Sequence, residues 1–164
     1  MTVSLRHALR RRKPDRRRDQ IRPRPRAALV AAADLPPTGR PTLMLDTNVY
    51  VMEAAGSLPA AAAALVARAL LFHCSVCLGE LATGVANADP ANPGWRAIRD
   101  HYAALIDAVP GTRLLVPDAE TWLEAGVIAG ILARAQGFQP HQRKECLADA
   151  LIYPVSYTHL RAHE

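Results

Sequence analysis

Apolar and polar positions along the chain fall into two periods. Thr42-Leu-Met-Leu45 is a continuous apolar run closed by Asp46-Thr-Asn48, the pattern of a buried strand that delivers polar groups at its carboxyl end. A helical stretch from Leu58 to Leu71 follows, with Ser57 as its N-cap, Pro59 in the first turn and alanine supplying helix propensity. Phe72 to Val76 reads as a second strand and Leu78 to Val85 as a helix. Asn87-Ala-Asp-Pro-Ala-Asn-Pro-Gly94 is a loop by its turn chemistry. Trp95, Ile98, Tyr102, Leu105, Ile106 and Val109 then recur at helical spacing up to a Pro110-Gly111 stop. Leu114-Leu-Val116 is a third strand, and Asp118 caps a helix holding Trp122, Leu123, Val127, Ile131 and Leu132, which Gly137 ends. Gln142 to Tyr153 reads as a last helix, broken at Pro154.

Short all-apolar strands separated by helices imply an α/β fold, a short parallel sheet covered on both faces in a three-layer α/β/α arrangement. At 164 residues the chain holds material for one domain. Ligands in such sheets bind beyond the carboxyl ends of the strands, which puts Asp46 at the expected site.

Charge divides the chain. Residues 1–41 carry 12 Lys and Arg against three Asp, with six prolines, whereas residues 42–153 carry 7 basic and 11 acidic side chains. The first segment cannot bury enough apolar surface to offset its ordering entropy, so composition predicts a disordered arm. Its Arg, Pro and Ala mixture is also what upstream GC-rich DNA yields when translated in frame, with Met44 or an initiator shortly before it as the start. At the other end, Pro154-Val-Ser-Tyr-Thr-His-Leu-Arg-Ala-His-Glu164 shows no apolar period and resembles translated adapter DNA. The expectation is a folded domain over 42–153 whose natural continuation this tail replaces.

Three cysteines, Cys74, Cys77 and Cys146, are too few for a disulfide scaffold. With no apolar leader at the start, the expected compartment is a reducing cytoplasm. The longest apolar run, Leu58 to Phe72, is interrupted by Arg68, so no membrane span is expected.

Three carboxylates stand out by their apolar neighbours. Asp46 follows a strand, Glu80 opens a helix after another, and Asp149 lies within Leu147-Ala-Asp-Ala-Leu-Ile-Tyr153. No Lys or Arg lies within four residues of Asp46 or Glu80. Buried acids need neutralising, and convergence on a hard divalent cation, Mg²⁺ or Mn²⁺, does so with oxygen ligands. Such an ion supports phosphodiester hydrolysis by an activated water.

These residues resemble the PIN-domain nucleases, and within them the VapC-like toxins of bacterial toxin-antitoxin pairs. Leu43-Met-Leu-Asp-Thr-Asn-Val-Tyr-Val51 is similar to the family's opening strand and first acid. Ser75-Val-Cys-Leu-Gly-Glu-Leu-Ala-Thr-Gly84 is similar to its second block, and Leu147-Ala-Asp-Ala-Leu-Ile152 to its third. The resemblance implies a Mg²⁺-dependent endoribonuclease with Asp46, Glu80 and Asp149 as metal ligands and catalytic acids. It implies that Thr47 or Asn48 orients the first carboxylate or the water, and that Gly84 permits close packing. It further implies an RNA substrate, a cognate antitoxin and a homodimer. The family carries a further acid after a later strand, where this chain has the adapter-like tail, so the final strand is expected to be missing.

Other features carry less. Cys74-Ser-Val-Cys77 has redox or zinc-like spacing without a second ligand pair, and reads as buried small hydrophobes. Asp118 fits an N-cap. Arg134, Arg143 and Lys144 serve either RNA phosphate or solvated helix faces, and Trp95, Tyr102 and Trp122 read as core or dimer surface. Asn48 stands where a haloacid dehalogenase-type phosphatase needs a second aspartate, which excludes that chemistry. Two rival readings stay open. One is a non-catalytic RNA-binding or scaffold module holding RNA by the arginine arm, and the other is an inactive truncated product.

Overall fold

A computed structural model describes residues 3–20, 22 and 24–160. In chain order its helices and strands are α1 (Leu5–Arg12), β1 (Thr42–Met44), α2 (Thr47–Ala54), α3 (Ala60–Arg68), β2 (Leu70–Cys74), α4 (Ser75–Asn87), α5 (Trp95–Asp107), β3 (Leu114–Leu115), α6 (Ala119–Gln136) and α7 (Pro140–Leu160). The fold is mixed α/β, with one three-stranded parallel sheet in the order β1-β2-β3. Residues 31–116 form one compact unit, and residues before 31 join those from 117 onward in another.

In the unit of residues 31–116, Thr42 to Met44 pair with Leu70 to Phe72, and His73 and Cys74 pair with Leu114 and Leu115. Leu45, Tyr50, Leu65, Phe72, Cys74, Cys77, Leu81 and Leu115 are buried and form its core. The spacing of apolar residues did not announce α2. It begins because Asp46 caps it, Oδ1 accepting the Asn48 N–H at 3.0 Å. Ser57 caps nothing at the start of a helix; its hydroxyl donates to the Met52 carbonyl behind it, and α3 starts after Pro59. The second strand lies two residues earlier than expected, because α4 opens at Ser75 and draws Val76 and Cys77 into its first turn. Trp95 on α5 donates its indole N–H to the Val85 carbonyl of α4 at 3.1 Å.

The other unit is helical. Asp118 caps α6 as expected, Oδ1 accepting the Thr121 N–H at 2.8 Å, and Gly137 ends it in the left-handed region with φ 66°. The helix expected to break at Pro154 instead runs through it to Leu160. The physical reason is an apolar face that the sequence reading cut short. Cys146, Ala150, Leu151, Pro154 and Val155 are all buried at helical spacing, and that burial offsets the lost proline N–H. The tail from Pro154 to Leu160 is therefore helical, and residues 161–164 lie outside the described ones.

Part of the first segment is helical, over Leu5–Arg12. Ser4 caps α1 by accepting the His7 N–H at 3.3 Å, and α1 packs on α6 with Ala8 buried. Its last turn carries Arg10 to Arg12, where cations oppose the helix dipole favourably. Arg12 and Arg11 approach Glu124 of α6 at 2.5 and 3.3 Å. That ion pair supplies what apolar surface does not.

Candidate active site

Asp46 follows β1 at the carboxyl end of the sheet and stands at the head of α2, with its side chain exposed. Its Oδ1 accepts two hydrogen bonds from Asn48, the backbone N–H at 3.0 Å and the side-chain amide at 3.3 Å. Asn48 thus fixes the rotation of that carboxylate. Thr47, the first residue of α2, turns the other way, and its hydroxyl donates a short hydrogen bond to Oε2 of Glu80 on α4. Glu80 is half-buried one and a half turns into that helix. A strand-to-helix junction after β1 and another after β2 therefore join the first two predicted acids through a single threonine.

Among the described residues neither Asp46 nor Glu80 forms an ion pair with Lys, Arg or His. The two carboxylates and their hydroxyl are hard oxygen donors. Carboxylate oxygens are the donor type of an ion like Mg²⁺, which takes one or two of them and keeps several waters. The predicted three-acid set is a different matter. Asp149 belongs to the other unit, exposed on α7, where its charge and burial both push the Cys146 thiol upward, burial more strongly. Among the described residues no group of three or more His, Cys, Asp or Glu side chains gathers as a metal site. The premise that apolar neighbours bury these acids also fails for Asp46 and Asp149, which meet solvent. Gly84 has open space around its α-carbon, so no close packing requires a glycine there.

A second cluster backs onto the same junction. Cys74 and Cys77 are wholly buried free thiols at the start of α4. The Cys77 S–H pulls the Cys74 thiol down to about 6, helped by the Val76 and Cys77 amides and opposed by burial. Cys77, as the donor, is pushed strongly up by that bond and by burial, while the Thr47 hydroxyl works against the rise. Behind them the Tyr50 hydroxyl lies 2.7 Å from Nδ1 of His73. Burial raises the Tyr50 phenol, and burial followed by the Arg113 charge lowers His73, so the phenol donates and the neutral imidazole accepts.

Sequence reasoning missed Glu124 and the pairing of Tyr50 with His73, the histidine beside the Cys74/Cys77 pair. Glu124 is the buried acid of the described residues, 6% exposed. The signal was present in Trp122-Leu-Glu-Ala-Gly-Val127, an acid among apolar and small residues like those used to select Asp149. Trp122 is half exposed, and Arg134 donates to backbone carbonyls. The Arg143 and Lys144 side chains lie outside the described ones. Among the described residues no helix is long and apolar enough to cross a membrane. Neither a known protein family, nor a characterised protein, nor a solved structure gives a match to the chain.

Proposed function

We propose that the chain is a metal-dependent endoribonuclease on a PIN-like fold, similar to the VapC-like toxins. The observation that carries this reading is the Thr47 hydroxyl bridging from the residue after Asp46 to Glu80, which holds two sequence-distant acids at the carboxyl end of a parallel sheet. Asp46 and Glu80 would hold Mg²⁺ or Mn²⁺. The bound ion would supply activation of water and neutralisation of charge at phosphorus. The chain's own residues prepare that site. Asn48 occupies one oxygen of Asp46 and sets the plane of its carboxylate, and Thr47 fixes Oε2 of Glu80. Uncompensated by local cations, the pair repels RNA phosphate until a metal arrives, so activity should follow metal occupancy. The reading includes a cognate antitoxin, a homodimer and a cytoplasmic location.

The test compares the whole chain with Asp46→Asn on labelled RNA and DNA, with Mn²⁺, Mg²⁺ or chelator. Metal-dependent RNA cleavage that falls at least about 100-fold in the variant, with an unchanged circular dichroism spectrum, supports the reading. Cleavage that survives in the variant removes Asp46 from the mechanism, and cleavage indifferent to chelator removes the metal.

A further inference from the structure

The helical unit contains a cavity of about 430 Å³ that none of the preceding chemistry uses. One wall is the turn carrying Arg16, Arg17 and Arg18, and the facing wall is the apolar surface of α6 formed by Ile128, Ile131 and Leu132. Its volume lies in the range of small-molecule sites. Tyr153 of α7 completes the lining, half exposed, with the Arg12 guanidinium 5.5 Å from its ring centroid.

The arginine turn is held in place. Lys13 leaves α1 in the left-handed region with φ 48°, its N–H donating to the Leu9 carbonyl, and Pro14–Arg16 then forms a single 3₁₀ turn. Arg134 reaches from α6 and donates to the carbonyls of Pro14 at 2.6 Å and Arg17 at 2.9 Å. Arg18 donates Nε to the Asp15 carbonyl at 3.3 Å. One cation is thus spent as a clasp that fixes three others over α6.

Charge accounting identifies which groups are available to a ligand. Arg11 and Arg12 share the single negative charge of Glu124. Among the described residues Arg16, Arg17 and Arg18 form no ion pair, and Asp19 is the acid in the cavity lining. Several guanidiniums fit phosphate oxygens through their paired donors. An apolar wall beside an aromatic ring fits the flat face of a nucleobase, which stacks on such rings whatever its sequence. An acidic peptide would use the guanidiniums and leave the apolar wall and Tyr153 bare.

We propose that this cavity is a nucleoside-phosphate site, with phosphate on Arg16 to Arg18 and the base against Tyr153 and the α6 wall. The same chemistry is offered by a free nucleotide and by one unit of a single-stranded RNA. The site lies within one unit and rests on none of the nuclease reading, so it is tested in chelator, where that reading predicts no cleavage.

The experiment uses the whole chain and fluorescence anisotropy with a fluorescent ATP analogue and a short labelled oligouridine, at about 0.15 M salt so that diffuse attraction is screened. Saturable binding of the ATP analogue identifies the free nucleotide. Saturable binding of the oligouridine that ATP does not displace identifies an RNA unit, and either result supports the site. The Arg17→Ala/Arg18→Ala variant should bind at least tenfold more weakly, and Tyr153→Leu should weaken ATP while leaving inorganic tripolyphosphate unchanged. Arg99→Ala on α5 should match wild type. The proposal is overturned if neither probe saturates, if Arg99→Ala loses as much as the double variant, or if tripolyphosphate or polyglutamate displaces the bound probe as well as the same probe without its label does.

Discussion

Glu124 and its two arginines allow a prediction whose size follows from exposure. The Glu124 side chain is 8% exposed, that of Arg12 22% and that of Arg11 46%. Arg12 Nε and Glu124 Oε1 are 2.5 Å apart yet lack an aligned hydrogen-bond partner, so their attraction is chiefly coulombic. Arg12→Leu leaves the buried carboxylate with one partner that is nearly half in water. Breaking a buried pair from one side costs about 3 to 5 kcal/mol, and the remaining Arg11 trims this to about 3. Glu124→Leu costs less, about 1 kcal/mol, because Arg12 can extend its head into solvent along its own stem. The double leucine replaces the charges by packing and should lie within about 1 kcal/mol of wild type. Urea unfolding followed by far-ultraviolet circular dichroism at neutral pH should therefore show a non-additivity of about 3 to 5 kcal/mol across the four proteins. If the two single costs are equal and the double is their sum, the pair is not coupled and the account of how α1 is held is wrong.

Three further outcomes are expected. Thr47→Val keeps the shape but removes the donor to Glu80; it should lower stability by about 1 to 2 kcal/mol and reduce any RNA cleavage, and an unchanged urea midpoint would discount the bridge. Burial lowers His73 below its ordinary 6.5, so the fold prefers the neutral ring. Its contribution is complete above pH 6.5 and is lost as pH falls through the lower folded value, so the stability of wild type relative to His73→Gln should shrink in acid. A constant difference between the two melting curves from neutral to acid pH would contradict this. Ultraviolet thiolate absorbance should show a first ionisation near pH 6 that moves upward in Cys77→Ala, since the Cys77 S–H is its main cause; a first ionisation unmoved by that substitution would assign it elsewhere.

The helices with explicit stop signals were legible from the chain. Asp118 and Gly137 mark both ends of α6, and the Pro110-Gly111 stop closes the α5 region. Elements whose boundaries depend on tertiary packing were not. The polar cluster after β1 reads equally as a strand end and as a helix cap, and only the Asp46 to Asn48 bond decides for α2. Pro154 reads as a stop until its neighbours Leu151 and Val155 are seen to be buried. In the candidate site Asp46 and Glu80 were picked out by local pattern alone. The Thr47 bond to Glu80 spans 33 residues, and no local period encodes it. Burial was the weakest inference, because apolar sequence neighbours on a helix point in several directions. Asp149 is exposed amid them, while Glu124, with partners more than a hundred residues away, is enclosed.

The strand order β1-β2-β3 follows the chain without reversal, and this sets an order of assembly. Pairing β1 with β2 closes a loop between residues 28 apart, and pairing β2 with β3 closes one between residues 41 apart. The entropic difference between these closures is only about 0.3 kcal/mol. The reward differs more, with three register positions in the first pairing and two in the second. Nucleation therefore favours the β1–β2 closure, and the Thr47–Glu80 bridge lies just beyond its ends. On this order the Thr47–Glu80 bond, which ties the helix after β1 to the helix after β2, can form before β3 docks.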